Sequence, residues 1–266
     1  RHRLSLESLK NGLAEKYARK LRQIDSQVMG MLVGAIGGTV KQKREFLDEL
    51  KRLKSESYDL VQAEFIDELI ELANRQSGWL YGLLAGLLVP SLVDRVDDVK
   101  PSRVKTILVR GLSLPERIGN LRNSEISKLY ALANTAVDDG FNVTQARDAF
   151  NLLRKSRDNA ISHIINTAAA GVIDARNEAM FAANRRLIKG IRLAVVFDNR
   201  TTPICIRHAN ENKLYPVNDY PHPPFHFNCR TVAVPIVKSY ADLTGGVRKR
   251  VPVNTRATMT GNAPMD

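Results

Sequence analysis

The sequence is poor in cysteine, in aromatic side chains and in long apolar runs. Its 266 residues hold two cysteines, too few for a disulfide scaffold. Aromatic residues make up 6% and include one tryptophan, so any core is mostly aliphatic. The longest apolar runs, 28–40 and 79–93, fall short of the roughly 20 residues that a membrane-spanning helix needs. The opening Arg1-His2-Arg3-Leu4 leads into a charged helical pattern, not into the apolar segment of a signal peptide. The first residue is not Met, which fits either processing or an internal start. These absences make a soluble protein of a reducing cytosol the expectation. No block of five like charges occurs, and no phosphate-cradling loop or convergent carboxylate pair is visible.

What is present is a globular mix, 44% apolar and 26% charged. Forty Lys and Arg face 28 Asp and Glu, a net charge of +12. Such an excess favours polyanionic neighbours: nucleic acid, an anionic membrane face or an acidic protein. By segment, the net is +5 over 1–60, −4 over 61–100, +7 over 101–200 and +4 over 201–266. The densest basic cluster, Arg248-Lys249-Arg250, is the candidate for facing DNA, the alternative being a solvated surface.

Apolar residues recur every three or four positions over 4–25 and again over 41–72, which predicts two long amphipathic helices. Each apolar stripe is long enough to suggest docking on a partner or on further copies of the chain. Gly30, Gly34, Gly37 and Gly38 follow the first helix, and Gly78, Gly82 and Gly86 follow the second at four-residue steps. Glycines on one helix face let another backbone approach closely. Ser113 and Glu116 form a capping-box pattern. Helices are expected over 124–137, 144–155 and 158–186. His163, Asp174, Arg176 and Glu178 on the last read as surface or packing groups. After Gly190 the pattern changes: 191–197 and 231–237 read as strands around a proline-rich stretch.

The expected fold is therefore mainly α. Long N-terminal helices and a helical body precede a small loop-rich α+β module. Residues 1–115 form a helical docking region, 116–240 a second unit with its Cys/His module at 191–237, and 241–266 an extended tail.

Both cysteines and three of the five histidines fall within 205–229. Cys205-Ile206-Arg207-His208 and His226-Phe227-Asn228-Cys229 each pair two soft or borderline ligands across a two-residue gap. Two such pairs can complete a tetrahedral site suited to zinc, with Cys205, His208, His226 and Cys229 as ligands. Four protein ligands would close the site and make it structural, a clamp for a module with little core. His222 is a substitute for His208. The alternative is two ordinary buried thiols beside histidines bonded to backbone carbonyls; a standing Cys205–Cys229 disulfide is disfavoured by the expectation of a reducing cytosol.

A wider pattern surrounds these residues: Asp198-Asn199-Arg200-Thr201-Thr202-Pro203-Ile204-Cys205, then Pro223-Pro224-Phe225-His226-Phe227-Asn228-Cys229-Arg230. It resembles the Mu F-like head morphogenesis family, minor head proteins of tailed bacteriophages, over about residues 120–237. Two departures stand out. Thr231 occupies the place where the family often has a further Cys, which makes His208 more necessary as a ligand. Asn210-Glu211-Asn212 replaces the usual Gly-containing turn, and Asn can take the left-handed conformation that Gly would supply.

The resemblance implies a virion protein inside the capsid near the portal, made in the host cytoplasm. Its implied partners are the portal and other head proteins, packaged DNA and further copies of the chain in a homo-oligomer, with membrane contact only on ejection. Its implied role is head assembly or DNA delivery. Two other readings compete. A zinc-dependent nuclease could use Asp198, Arg200 and His226, but convergent carboxylates are lacking, so no enzymatic function is expected. A non-specific DNA-binding protein with a structural zinc module fits the charge. Asp198 and Arg200 read instead as a pair bracing the loop before Cys205, with Asp219 as an alternative partner for Arg200. Arg230 is likewise expected to brace the two loops through charge-assisted contacts, and Thr201, Pro203, Pro223 and Pro224 complete the motif.

Overall fold

The computed structural model describes residues 2–36, 38–109, 111–138 and 141–243, and these are mainly helical. Gly37, the cluster Arg248-Lys249-Arg250 and the rest of the expected tail beyond 243 lie outside them. Helices α1 (His2–Arg22), α2 (Asp25–Ala35) and α3 (Val40–Leu87) come first. A single 3-10 turn and α4 (Pro101–Lys105) follow. The two-residue strands β1 (Leu108–Val109) and β2 (Leu112–Ser113) then pair as an antiparallel hairpin. The body continues with α5 (Leu114–Asp138) and α6 (Val143–Ala183). Next come β3 (Ile188–Ala194), α7 (Pro203–Glu211), β4 (Val232–Val237) and the short α8 (Tyr240–Leu243). No helix among the described residues is long and apolar enough to cross a membrane.

Local chemistry sets the helix starts. Thr39 and Gln42 form a reciprocal capping box before α3, and Asn142 and Gln145 do the same before α6. Ser113 and Glu116 make the expected box: Ser113 N–H donates to the Glu116 carboxylate at 2.7 Å. Beyond these starts the helices run further than the periodicity predicts. α3 continues for 48 residues through Gly78, Gly82 and Gly86. The helices expected over 144–155 and 158–186 are one, α6, because the intervening Ser156-Arg157 carries no breaker. Conversely, the first helix ends early. It turns at Gln23-Ile24, and Arg157 from α6 holds the elbow by bonding the Leu21 carbonyl and both Asp25 carboxylate oxygens, the latter at 2.6 and 2.9 Å.

The apolar stripes expected to seek a partner are used internally. Ala14, Tyr17, Ala18 and Leu21 of α1 are buried with Tyr58, Phe65, Leu69 and Leu72 of α3 and with Ile161, Ile165 and Val172 of α6. That core also takes Leu114 and Ile118, so it runs across residue 115, where the sequence reading divides the chain. A second core joins Val28 and Leu32 of α2 to Phe46, Leu50, Leu129 and Phe150. The charge segments match as well. Lys16 and Lys20 on basic α1 pair with Glu68 and Glu64 on the acidic part of α3.

A Cβ at Gly30, Gly34, Gly78, Gly82 or Gly86 would meet nothing within 4 Å. Among the described residues of this chain nothing packs closely against those faces, which leaves them open to a partner or a further copy. Close approach occurs elsewhere: a Cβ at Gly190 would lie 2.7 Å from both Leu214 Cγ and the Tyr215 carbonyl oxygen.

β3 and β4 pair antiparallel, from Ile188↔Val237 to Ala194↔Val232, with an irregularity at Lys189. Tyr215 bridges to Ile191 on the other edge of β3. Leu80, Phe181, Ile188, Ile191 and Tyr220 form the cluster that seats this small sheet on the ends of α3 and α6.

Candidate metal centre

β3 releases the chain into a turn organised by Asp198. The Asp198 carboxylate accepts the Arg200 N–H at 2.8 Å, and the Thr201 hydroxyl donates to the Val196 carbonyl at 2.7 Å. This local hydrogen bonding is typical of Asp and Thr in turns. Pro203 then opens α7, where a missing N–H costs nothing. Cys205 falls in the first turn of α7 and is buried. The helix stops at Asn212, which takes the left-handed conformation (φ 42°) expected of an Asn at this turn.

The second half of the motif returns along α6. His222 Nδ1 lies 3.0 Å from Asp174 Oδ2, and the Pro223–Pro224 peptide bond is cis. The turn at Phe227-Asn228 is closed by Cys229 N–H donating to the His226 carbonyl at 3.2 Å. Asn228 adopts a left-handed conformation (φ 56°), and its N–H donates to the Thr167 hydroxyl of α6 at 3.1 Å.

These two turns bring three side chains together. Cys205 Sγ is 3.1 Å from His226 Nε2 and 3.8 Å from Cys229 Sγ, and all three ligand atoms lie within 4.8 Å of one another. The other ring nitrogen of His226 is 2.8 Å from the Phe227 carbonyl oxygen. Donation from Nδ1 to that carbonyl leaves the Nε2 lone pair facing the sulfurs, the arrangement that orients metal-ligating histidines. Burial pushes the Cys229 thiol up, so a metal has to displace its proton on entering. The trio could hold a metal ion, and two sulfurs with one imidazole suit zinc.

His208, expected as the fourth ligand, is not part of this group. It shares the Cys205 face of α7 three residues on, but its ring packs against Phe225 with centroids 4.5 Å apart. Its Nδ1 is 3.7 Å from the Glu211 carboxylate. His222, the substitute, is engaged by Asp174 and lies against Tyr220 with centroids 4.2 Å apart. Beside Cys205 stands Thr231, whose hydroxyl donates to Sγ at 3.2 Å. Thr231 is therefore a direct neighbour of the trio.

Both arginines expected to brace the loop meet Asp198, with unequal strength. Arg230, not Arg200, grips Asp198 through both guanidinium nitrogens, Nη2 at 2.6 Å from Oδ1. The Arg230 guanidinium, with the Arg200 N–H, holds the Asp198 carboxyl well below the usual carboxylate range. The Arg200 side chain is 76% exposed and reaches only 3.7 Å from Asp198.

Asp174 and Arg176 are not surface groups. Asp174 is 5% exposed, and burial pushes its carboxyl up to about 7 against the lowering effect of His222. Arg176 bonds Ser77 and the Val96 and Asp97 carbonyls. Both contacts join residues far apart in sequence, so no local spacing signals them. His163 lies near Phe227, ring centroids 6.0 Å apart.

No protein-family model matches the chain, and no curated protein or solved structure matches it either.

Proposed function

We propose that this chain is a minor head protein of a tailed bacteriophage, of the Mu F-like type, whose Cys/His module is clamped by one zinc ion. The observation that carries this reading is the meeting of the two motif halves. The segment ending at Cys205 and the segment from Pro223 to Arg230 fold onto each other through the Cys205, His226 and Cys229 trio and the Asp198–Arg230 pair. Cys205, His226 and Cys229 hold the zinc, which supplies a cross-link between α7 and the 226–229 turn. With His208 outside the trio the fourth position has no protein ligand, so closure by four side chains is not part of this reading; the burial of both cysteines, at 3% and 0% exposure, is what favours a clamp.

In this reading the protein sits inside the capsid by the portal, where the net charge of +12 suits contact with packaged DNA. The experiment is a virion reconstruction together with metal analysis of the purified chain. Density for this fold at the portal and about one zinc per chain support the proposal. Absence of the chain from particles refutes the virion role, and a metal-free purified chain refutes the clamp. The second reading, a non-specific DNA-binding protein with the same module, rests on the charge. It requires DNA affinity that falls steeply with salt in the absence of head proteins.

A further inference from the structure

Cys205 and Cys229 are the sole cysteines of the chain, and their sulfurs are 3.8 Å apart. They arrive from different elements, α7 and the turn before β4, so a bond between them would close a covalent loop across the module. To reach the bond length of about 2.05 Å the sulfurs need to approach by roughly 1.8 Å. A hollow of about 10 Å³ adjoins Cys205, lined by Val196, Thr201, His226, Arg230 and Thr231, with exposed Arg200 among its walls. That is about the room one water-sized molecule needs. The hollow is polar on the side of Cys205, where the Thr231 hydroxyl and the His226 ring both contact Sγ. The neighbouring sulfur, Cys229, is placed to react next.

We infer that Cys205 and Cys229 are an oxidation site, which hydrogen peroxide closes into an intrachain disulfide when no metal holds the two sulfurs. Cys205 Sγ attacks one peroxide oxygen and the O–O bond breaks. The departing oxygen leaves as water with the thiol proton, and Cys205 becomes a sulfenic acid. Cys229 Sγ then attacks Cys205 Sγ, the S–O bond breaks, and a second water leaves with the Cys229 proton. Two thiols and one peroxide give one disulfide and two waters, and the sulfurs lose the two electrons that the peroxide gains. A metal bound to both sulfurs engages the lone pairs that this chemistry needs, so occupancy protects the pair. That protection rests on the metal reading above; the disulfide itself does not.

The test uses the full chain, once stripped with a chelator and once loaded with zinc, each treated with hydrogen peroxide. The stripped chain should lose both free thiols, drop in mass by two hydrogens and yield a cross-linked peptide pair containing Cys205 and Cys229. Loading with zinc should slow that loss. Cys229→Ser should halt the reaction at a sulfenic acid on Cys205, captured by a dione reagent. Free thiols that persist in the stripped chain overturn the inference, as do products limited to sulfinic acid or interchain disulfides, and both leave the metal reading intact. A cross-link that forms equally fast with and without zinc supports the pair and refutes the metal reading.

Discussion

Arg230 closes on Asp198 from 32 positions away with both guanidinium nitrogens, tying the segment that follows Cys229 to the turn that precedes Cys205. Arg200, two residues from Asp198, contributes its backbone N–H to that carboxylate, while its largely exposed guanidinium comes only to 3.7 Å. Arg230→Ala should therefore lower the urea midpoint of unfolding and weaken zinc retention, whereas Arg200→Ala should change neither. A larger loss for Arg200→Ala would assign the brace to the wrong arginine. The depressed Asp198 carboxyl contributes stability above the usual carboxylate range, which disappears as pH falls through its folded value.

The metal trio gives a ligand-by-ligand forecast. Cys205→Ala, His226→Ala and Cys229→Ala should each release zinc, and His208→Ala should retain it. Thr231→Cys places a third thiolate beside Cys205 and should tighten zinc binding. Competition with a chromogenic chelator ranks all five variants. Chelation of the wild-type chain should lower its melting temperature, because metal affinity for the folded module is folding free energy.

Asp174 predicts a pH dependence of the opposite sign to Asp198. Its carboxyl is raised to about 7, chiefly by burial, with His222 opposing and Glu178 adding to the rise. The folded chain binds a proton there that the unfolded chain has released. The associated stability is complete below the unfolded value near 4 and is lost as pH rises through about 7. Urea titrations from pH 4.5 to 8 should show this decline, and Asp174→Asn should flatten it.

A buried ionic cluster supplies a fourth prediction. Lys54, fully buried, lies 2.7 Å from Glu125, which also accepts the Tyr58 hydroxyl at 2.8 Å and faces Arg157 at 3.3 Å. Removing Glu125 leaves buried Lys54 with only the Asp25 carboxylate, 3.8 Å away. Glu125→Gln should cost about 3–5 kcal/mol, measured by chemical denaturation. Replacement of Lys54 and Glu125 together by Met and Leu should cost much less than the sum of the single changes.

The open helix faces give a paired test. Gly82→Ala should stabilise the protein by about 0.5–1 kcal/mol, since Ala fits a helix better and meets nothing there. Gly190→Ala should destabilise it, because the new methyl collides with Leu214 and the Tyr215 carbonyl oxygen. Should Gly82→Ala destabilise the isolated chain, an undetected contact would have to occupy that face.

The elements that sequence reading located well are those written in adjacent residues. The Ser113–Glu116 box, β4 and the left-handed Asn212 each depend on a few consecutive side chains, whereas β3 runs over Ile188–Ala194 and not over the expected 191–197. The trio was legible because its two-residue gaps are local, although the fourth ligand was not: His208 has the right spacing, but its ring is taken by Phe225. Nothing near Arg157 signals that it bonds Asp25 across 132 positions, and that contact breaks the first helix where the apolar periodicity runs on. The pairing of Asp174 with His222, across 48 positions, was hidden for the same reason. The glycine rows mark smooth helix sides, and the sequence does not say what lies against them.

Helix α3 threads all four apolar clusters: Phe46 and Leu50 enter one, Tyr58 to Ala73 the largest, Leu80 a third and Leu84 the last. At 48 residues it is about 72 Å long, a common axle for the four apolar clusters of the described residues. The clusters are thus not free to melt in turn. A break midway along α3 would deprive the elements on both sides of a wall at once, so hydrogen exchange along α3 should report one opening event for its buried middle. The same axle gives the chain a rigid ruler, whose two ends are held apart at a distance that no side-chain rearrangement can shorten.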